Sequence, residues 1–178
     1  MTKRNLPLSK VYQYLEPGPV ALLSTGRAGH TNIMTMSWHT MMEFEPPLIG
    51  CIISNRNDSF DLLKKTRECV INIPTADIAE KVVGCGNTHG SKINKFEKFG
   101  LTPKPARYVA APLIDECFAN FECCIFDAGW VNKYCLFVLE VVQAWKNPNV
   151  KNPQTIHHEG KGHFMLAGER IKLKSKMK

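Results

Sequence analysis

Apolar positions along this chain fall in short runs or in alternation, and seldom at the three-and-four spacing of a long helix. Val20-Ala21-Leu22-Leu23 leads into Ser24-Thr25 and predicts a buried strand. Glu16-Pro17-Gly18-Pro19 before it is a turn, and Gly26-Arg27-Ala28-Gly29-His30 after it is a hairpin turn. The return strand runs from Thr31 to Trp38, with Met34, Met36 and Trp38 expected on one face. Pro46-Pro47 breaks the chain, and Leu48 to Ser54 is the next strand. Ser59 to Thr66, with Phe60, Leu62 and Leu63, predicts a short helix capped by Asp58 or Ser59.

Cys69 to Ile73 is a strand stopped by Pro74. Thr75-Ala76-Asp77 opens a helix through Val83, with Thr75 or Asp77 as cap and Gly84 as stop. Lys92 to Phe99 predicts one more short helix, ended by Gly100. Pro103, Pro105 and Pro112 make an irregular connection. Ala119 to Phe126 and Tyr134 to Ala144 form a long antiparallel pair; Ile156 to His158 and Gly162 to Ala167 are the last strands. The sum is a mostly β chain, an antiparallel barrel with two or three flanking helices.

The length, 178 residues, suits a single domain spanning 1–178. A formal charge of +7 favours anionic ligands, but part of it sits in Lys172, Lys174, Lys176 and Lys178. Residues 172–178 read as a flexible basic tail. No basic stripe interleaved with aromatics is present, so no nucleic-acid partner is expected. Neither a signal-peptide core nor an apolar run of membrane-spanning length is present, so the expected location is cytoplasmic, away from membranes. Seven cysteines, an odd number, read as reduced thiols. His157, His158 and His163 with Cys117, Cys123 and Cys124 match no metal-ligand spacing, so no metal is expected. Gly-x-Ser-x-Gly and phosphate-loop patterns are both lacking, which removes those hydrolase and nucleotide-hydrolysis classes.

Ser54-Asn55-Arg56-Asn57-Asp58-Ser59 leaves a strand and enters a helix. Its hydroxyls, amide N–H groups and guanidinium fit an anion cradle; on sequence alone an Asn-rich capped turn with solvated Arg56 and Lys95 is the more ordinary reading. Met34, Met36 and Trp38 fit plain core packing, and His39 fits a hydrogen-bonded structural residue.

Four blocks in order carry a resemblance. They are Asn32-Ile33-Met34-Thr35-Met36-Ser37-Trp38-His39 with Phe44-Glu45-Pro46-Pro47; Ser54 to Phe60; Asn94-Lys95-Phe96 with Gly100-Leu101-Thr102-Pro103; and Ala111 to Cys117. Together, from about Tyr12 to Gly168, they resemble the flavin-reductase-like family of FMN-binding split barrels, which includes flavoredoxins. The resemblance implies a six-stranded antiparallel Greek-key split β-barrel and a homodimer with FMN near the subunit interface. It also implies flavin reduction by NADH or NADPH, or electron exchange with a redox partner protein.

On that resemblance, the cofactor's phosphate would be met by Ser54, Asn55, Arg56, Asn57 and Ser59, with Phe60 closing the block and Lys95, Lys92 and Phe96 approaching from another loop. The ring would lie along Asn32, Met34, Thr35, Met36, Ser37, Trp38 and His39, with hydroxyls from Thr35 and Ser37. Cys85, in Gly84-Cys85-Gly86, would lie close by as a thiol to watch for redox activity. Hydride transfer from nicotinamide to flavin needs alignment more than a protein acid or base, so no catalytic residue is assigned. Two departures stand out. Tyr134 occupies the place of a His that many relatives carry near the flavin or nicotinamide, which favours the electron-carrier reading. Asn94 replaces an Asp that commonly precedes Lys-Phe.

Overall fold

A computed structural model describes residues 3–11, 18–27 and 29–175. The Glu16-Pro17 half of the first turn, Ala28, and Lys176 and Lys178 of the tail lie outside the described residues. Twelve strands are seen among the described residues: β1 (Arg4–Leu6), β2 (Ala21–Arg27), β3 (His30–Met36), β4 (His39–Glu43), β5 (Leu48–Ile52), β6 (Glu68–Ile73), β7 (Pro103–Lys104), β8 (Leu113–Ile114), β9 (Ala119–Asp127), β10 (Leu136–Lys146), β11 (Ile156–Gly160) and β12 (His163–Leu166). Four helices join them: α1 (Asp58–Thr66), α2 (Ala79–Gly86), α3 (Lys95–Lys98) and α4 (Val131–Tyr134).

Eight strands make one antiparallel sheet in the order β3-β2-β6-β9-β10-β5-β4, with β1 also paired to β10. The six strands expected become eight because β10, eleven residues long, has room for more than one partner on one side. Leu136 to Glu140 pairs with β5, and Ala144 to Lys146 pairs with β1. β4 adds to β5 along a stretch that carries no strand signal of its own. The barrel closes through the chain itself. Ser37-Trp38 carries the backbone from β3 at one sheet edge to β4 at the other, and Ile52 N–H donates to the Trp38 carbonyl at 3.0 Å.

The unbroken apolar run at Val20–Leu23 reflects burial on both faces. Ala21 and Leu23 point into the barrel with Met34, Met36, Ile71 and Phe121. Val20 and Leu22 point outward, into a second core with Ile33, Val82 and Phe96. A strand covered on both faces shows no period-two signal.

Several local expectations are corrected. β3 ends at Met36, so Trp38 does not share a face with Met34 and Met36; it is 70% exposed, while they are buried. Asn57, not Asp58 or Ser59, is the N-cap residue of α1, without a side-chain cap bond. Thr75 is the N-cap residue of a 3-10 turn over Ala76–Ile78 that precedes α2, but its hydroxyl bonds the Asp77 side chain and makes no cap bond to the backbone. Gly84 does not stop α2. A side chain there would strike the Phe99 ring, so the glycine permits close packing inside the helix. The helix expected over Lys92–Phe99 shrinks to α3 because Asn94 caps it, its Oδ1 accepting from Phe96 N–H at 3.1 Å. Tyr134 ends α4, and Cys135 at φ 55° separates it from β10. The proline-rich connection is irregular apart from β7 and β8. Buried Glu122 holds it, accepting from Arg107 N–H at 2.9 Å, Tyr108 N–H at 2.6 Å and Trp145 Nε1 at 2.7 Å. All seven cysteines are free thiols.

Candidate functional site

The outward face of β3 carries the candidate site. α2 lies against it, and the Thr35 hydroxyl donates to the Val82 carbonyl at 2.6 Å. A Cβ on Gly86 would come within 3.2 Å of the Thr35 side chain, so the helix end can approach only without one. Beyond this contact opens a cavity of about 450 Å³. Val20, Val83 and Phe164 give it apolar walls; Thr35, Ser37, Asn87 and His158 give it a polar edge. Such a lining suits a flat heteroaromatic group that is apolar on its faces and hydrogen-bonding at its rim. His158 and Phe164 come from the β11–β12 hairpin, where their rings lie 5.2 Å apart.

Further along β3, Asn32 enters a buried polar network. Its Nδ2 donates to Ser59 Oγ at 3.0 Å, and Thr25 Oγ1 donates to the same oxygen at 3.0 Å. Asn32 Oδ1 is buried and without a hydrogen-bond partner. It faces Gly90, where a side chain would collide with it. A buried acceptor left unpaired is costly and rare in native structures, so this atom has the character of one awaiting a donor.

Lys95 comes from α3 to the same strand. Its Nζ donates to the Ile33 carbonyl at 2.6 Å and the Cys85 carbonyl at 2.8 Å, leaving one N–H free of these bonds. Burial lowers its pKa, partly opposed by Cys85 and Asp58. Asp58 holds the loop over the site, its Oδ2 accepting from Ser91 N–H at 2.9 Å. That backbone bond is the main reason its pKa is lowered. Lys92, Ser91 and Asn94 line a further polar cavity of about 410 Å³ with Thr31 and His30.

Other candidates lie elsewhere. Met34, Met36 and Phe60 face the barrel core, where Phe60 packs edge-on to Phe137 with centroids 5.5 Å apart. Phe96 and Cys85 are buried in the second core, and burial pushes the Cys85 thiol up to about 11, opposite to what a reactive thiolate needs. Ser54, Asn55 and Arg56 are exposed at the entrance to α1; the turn is closed by Asn57 N–H on the Ser54 carbonyl at 3.0 Å. The His39 imidazole is bonded through Nε2 to the Pro19 carbonyl at 2.7 Å, and burial lowers its pKa. Its Nδ1 is buried without a partner. His39 lies opposite Cys51, whose side chain is in the barrel core.

Seven cavity residues escaped the sequence reading: Val20, Val83, Gly86, Asn87, His158, Gly162 and Phe164. The Gly84-Cys85-Gly86 stretch hints at close approach, but nothing local marks His158 and Phe164.

A family model described as flavin reductase like domain matches residues 14–164, and the chain belongs to that family. An uncharacterized protein of Pyrococcus abyssi is 31% identical over 131 residues, covering 74% of this chain and 75% of the relative. Among solved structures, an FMN-binding domain of a flavin reductases-like enzyme from Shewanella baltica matches with a TM-score of 0.91 at 22% identity, covering 97% of this chain and 98% of that one. The flavoredoxin of Desulfovibrio vulgaris matches with a TM-score of 0.80 at 19% identity, covering 89% and 91%. The architecture is that of the FMN-binding split barrels, and the family is one of flavin-related proteins.

Proposed function

We propose that the chain binds FMN and works as an NAD(P)H-dependent reductase of flavin, a ferric chelate or another small acceptor. The observation that carries this is the shared use of β3: Thr35 at the cavity edge and Asn32 with its unpaired Oδ1 both lie on it, and Ser37 follows one residue past its end. The residues fit the cofactor. Apolar walls suit its ring, Asn32 Oδ1 suits a hydroxyl of its polyol chain, and Ser54, Asn55, Arg56, Asn57 and Ser59 with Lys92 and Lys95 offer donors for its phosphate. FMN, when bound, supplies two-electron chemistry between a reduced nicotinamide and the acceptor. The protein's work is binding and alignment. Gly86 lets α2 close on the strand, Phe164 and Val83 exclude water, and no side chain needs to move a proton at the reacting bond.

A second reading, an electron carrier serving partner proteins, is favoured by Tyr134. Its ring is half exposed, stacked on Trp130 at 5.8 Å, with Lys133 Nζ 5.0 Å above it. The residue after Tyr134 is joined to the residue before Ser54: Ile53 N–H donates to the Cys135 carbonyl at 3.0 Å.

A homodimer is part of the proposal. On the outer side of β4 and β5, Met42 rests on Gly50 beside Leu136. Trp38, Met42, Phe44 and Phe126 are all more than half exposed. A second copy would cover this face. A cytoplasmic location fits the free thiols.

The test is the visible spectrum of the purified protein under anaerobic conditions, before and after NADH and NADPH. Flavin bands that bleach within seconds support the reductase. Bands stable to both nucleotides but bleached by a reduced carrier protein support the second reading. A colourless protein whose melting temperature ignores added FMN overturns both.

A further inference from the structure

The peptide group between Pro19 and Val20 is bonded on both sides by parts of the chain far away in sequence. Its carbonyl, on Pro19, lies 2.7 Å from His39 Nε2. Its N–H, on Val20, donates to the Ile156 carbonyl at 2.8 Å. Pro19, Val20 and Ile156 are all buried. A carbonyl only accepts, so His39 Nε2 carries the hydrogen of the neutral ring and Nδ1 is the bare acceptor. That Nδ1 is buried and has no partner among the described residues. Hydrogen bonds that share one peptide group polarise and strengthen each other.

The two ends of this link belong to two sides of the candidate cavity. His39 opens β4, two residues past Ser37, which lines the cavity where the chain crosses over from β3. Ile156 opens β11, and the β11–β12 hairpin brings His158, Gly162 and Phe164 to the same cavity. Val20, in the middle of the link, is itself a cavity wall. The hairpin pairs with no strand of the barrel sheet. Its tip, Gly160-Lys161-Gly162, turns through φ angles of 97°, 51° and 79°, and its root is where the Val20 bond holds it.

We propose that neutral His39 is a positioning residue for the cavity: through the Pro19-Val20 peptide it ties the barrel crossover to the hairpin, and protonation of its imidazole unties them. The functional meaning rests on the flavin reading above. An imidazolium would carry a second N–H, at Nδ1, buried and facing no acceptor. Nothing nearby offsets its charge. Opposite His39 on β5 stands Cys51, a thiol that burial keeps protonated by pushing its pKa up. β5 and residues 18–20 contain no carboxylate, and Glu43, at the far end of β4, is exposed and accepts from Phe44 N–H. Burial therefore lowers the His39 pKa, with the Pro19 bond opposing. The sign follows: the link is whole above the ordinary histidine value of 6.5 and is lost as pH falls through the lowered folded value.

The experiment compares the native chain with His39→Gln, whose amide can still donate to Pro19 but does not titrate, and with His39→Leu, which cannot donate. FMN affinity is read by fluorescence titration at about pH 7.5 and about pH 5, on either side of the ordinary histidine value. Between these we expect the native chain to lose about tenfold more affinity than His39→Gln, since the FMN phosphate titrates alike in both. Near neutral pH, His39→Leu should bind FMN about tenfold more weakly than the native chain, and His39→Gln within about threefold of it. Hydrogen exchange at the Val20 amide, measured without FMN, reads the link itself. Corrected for the intrinsic effect of pH, it should quicken about tenfold in His39→Leu and in the acidified native chain, but not in His39→Gln. The same pH dependence of FMN affinity in the native and His39→Gln chains overturns the proposal. So does a Val20 amide equally protected in all three chains. The flavin reading fails separately: if no chain binds FMN while Val20 protection still follows His39, the link stands and its ligand is not a flavin.

Discussion

At the scale of single residues, the candidate site depends on a few buried polar atoms whose partners are far away in sequence. Asn32 shows this best. Its Nδ2 is bound to Ser59, and its Oδ1 is left for a donor that the described residues do not supply. Asn32→Ala should therefore weaken FMN binding about tenfold, the worth of one hydrogen bond in a buried setting, and cost about 1–2 kcal/mol of stability through the lost Ser59 bond. Flavin fluorescence titration and thermal unfolding read the two effects separately. Lys95 carries a different risk. Lys95→Met would leave the Ile33 and Cys85 carbonyls without their donor, at about 1–3 kcal/mol, and calorimetry should show the melting temperature falling by roughly 3–10 °C. Asp58 makes a pH-dependent contribution. Its folded pKa is lowered, so the stability it adds is present above the unfolded value near 3.9 and is lost as pH falls through the lowered folded value. Because Asp58 is partly exposed, that contribution is at most about 1 kcal/mol. The native chain should thus melt above Asp58→Asn at pH 7, and the gap should close in strong acid; a gap that persists in strong acid would mean the carboxylate charge is not what holds Ser91.

At the scale of elements, α2 and the β11–β12 hairpin build the cavity between them. Gly84 lies against the Phe99 ring and Gly86 against Thr35, so the two glycines let α2 pack closely on Phe99 at one position and on β3 at the other. Gly84→Val should drive α2 and the Phe99 ring apart, costing about 1–3 kcal/mol, and should also weaken FMN binding, because Val83 and Asn87 of the cavity move with the helix end. Tight FMN binding by a destabilised Gly84→Val chain would show that the cavity beside α2 is not the flavin site. The same two glycines explain why the helix end was misjudged from sequence. Gly84 reads as a stop signal by local rules, but its tertiary role is to admit a phenyl ring. Asn94 gives the opposite lesson: its capping chemistry is local, and the start of α3 follows from it.

At the scale of the whole molecule, Trp38, Met42, Phe44 and Phe126 stay more than half exposed on the barrel's outer face, and the proposed dimer would cover that face. Met42→Lys places a charge over Gly50 in the middle of that face and should convert a dimer to a monomer in light-scattering measurements, with little loss of monomer stability, since Met42 is already half exposed. An unchanged mass would move the interface elsewhere.

Strand content, the β2–β3 hairpin, the long β9–β10 pair and the order of the family blocks were all legible in the chain, because runs, alternation and turn residues are local properties. Thr35, Ser37 and Asn32 could be named as site candidates for the same reason: they sit in one contiguous sequence block on and just past β3. The sequence by itself therefore determined a mostly β fold and the strand on which the candidate site is built. Tertiary structure alone decided which face each side chain took. Met34 and Met36 went inward and Trp38 outward because the chain bends at Ser37-Trp38 to close the barrel. Tertiary structure also brought His158 and Phe164, more than 120 residues along the chain from Thr35, to the same cavity. The physical reason is common to both cases. Closure and long-range packing depend on the summed fit of many strands, and no short window of sequence contains that sum.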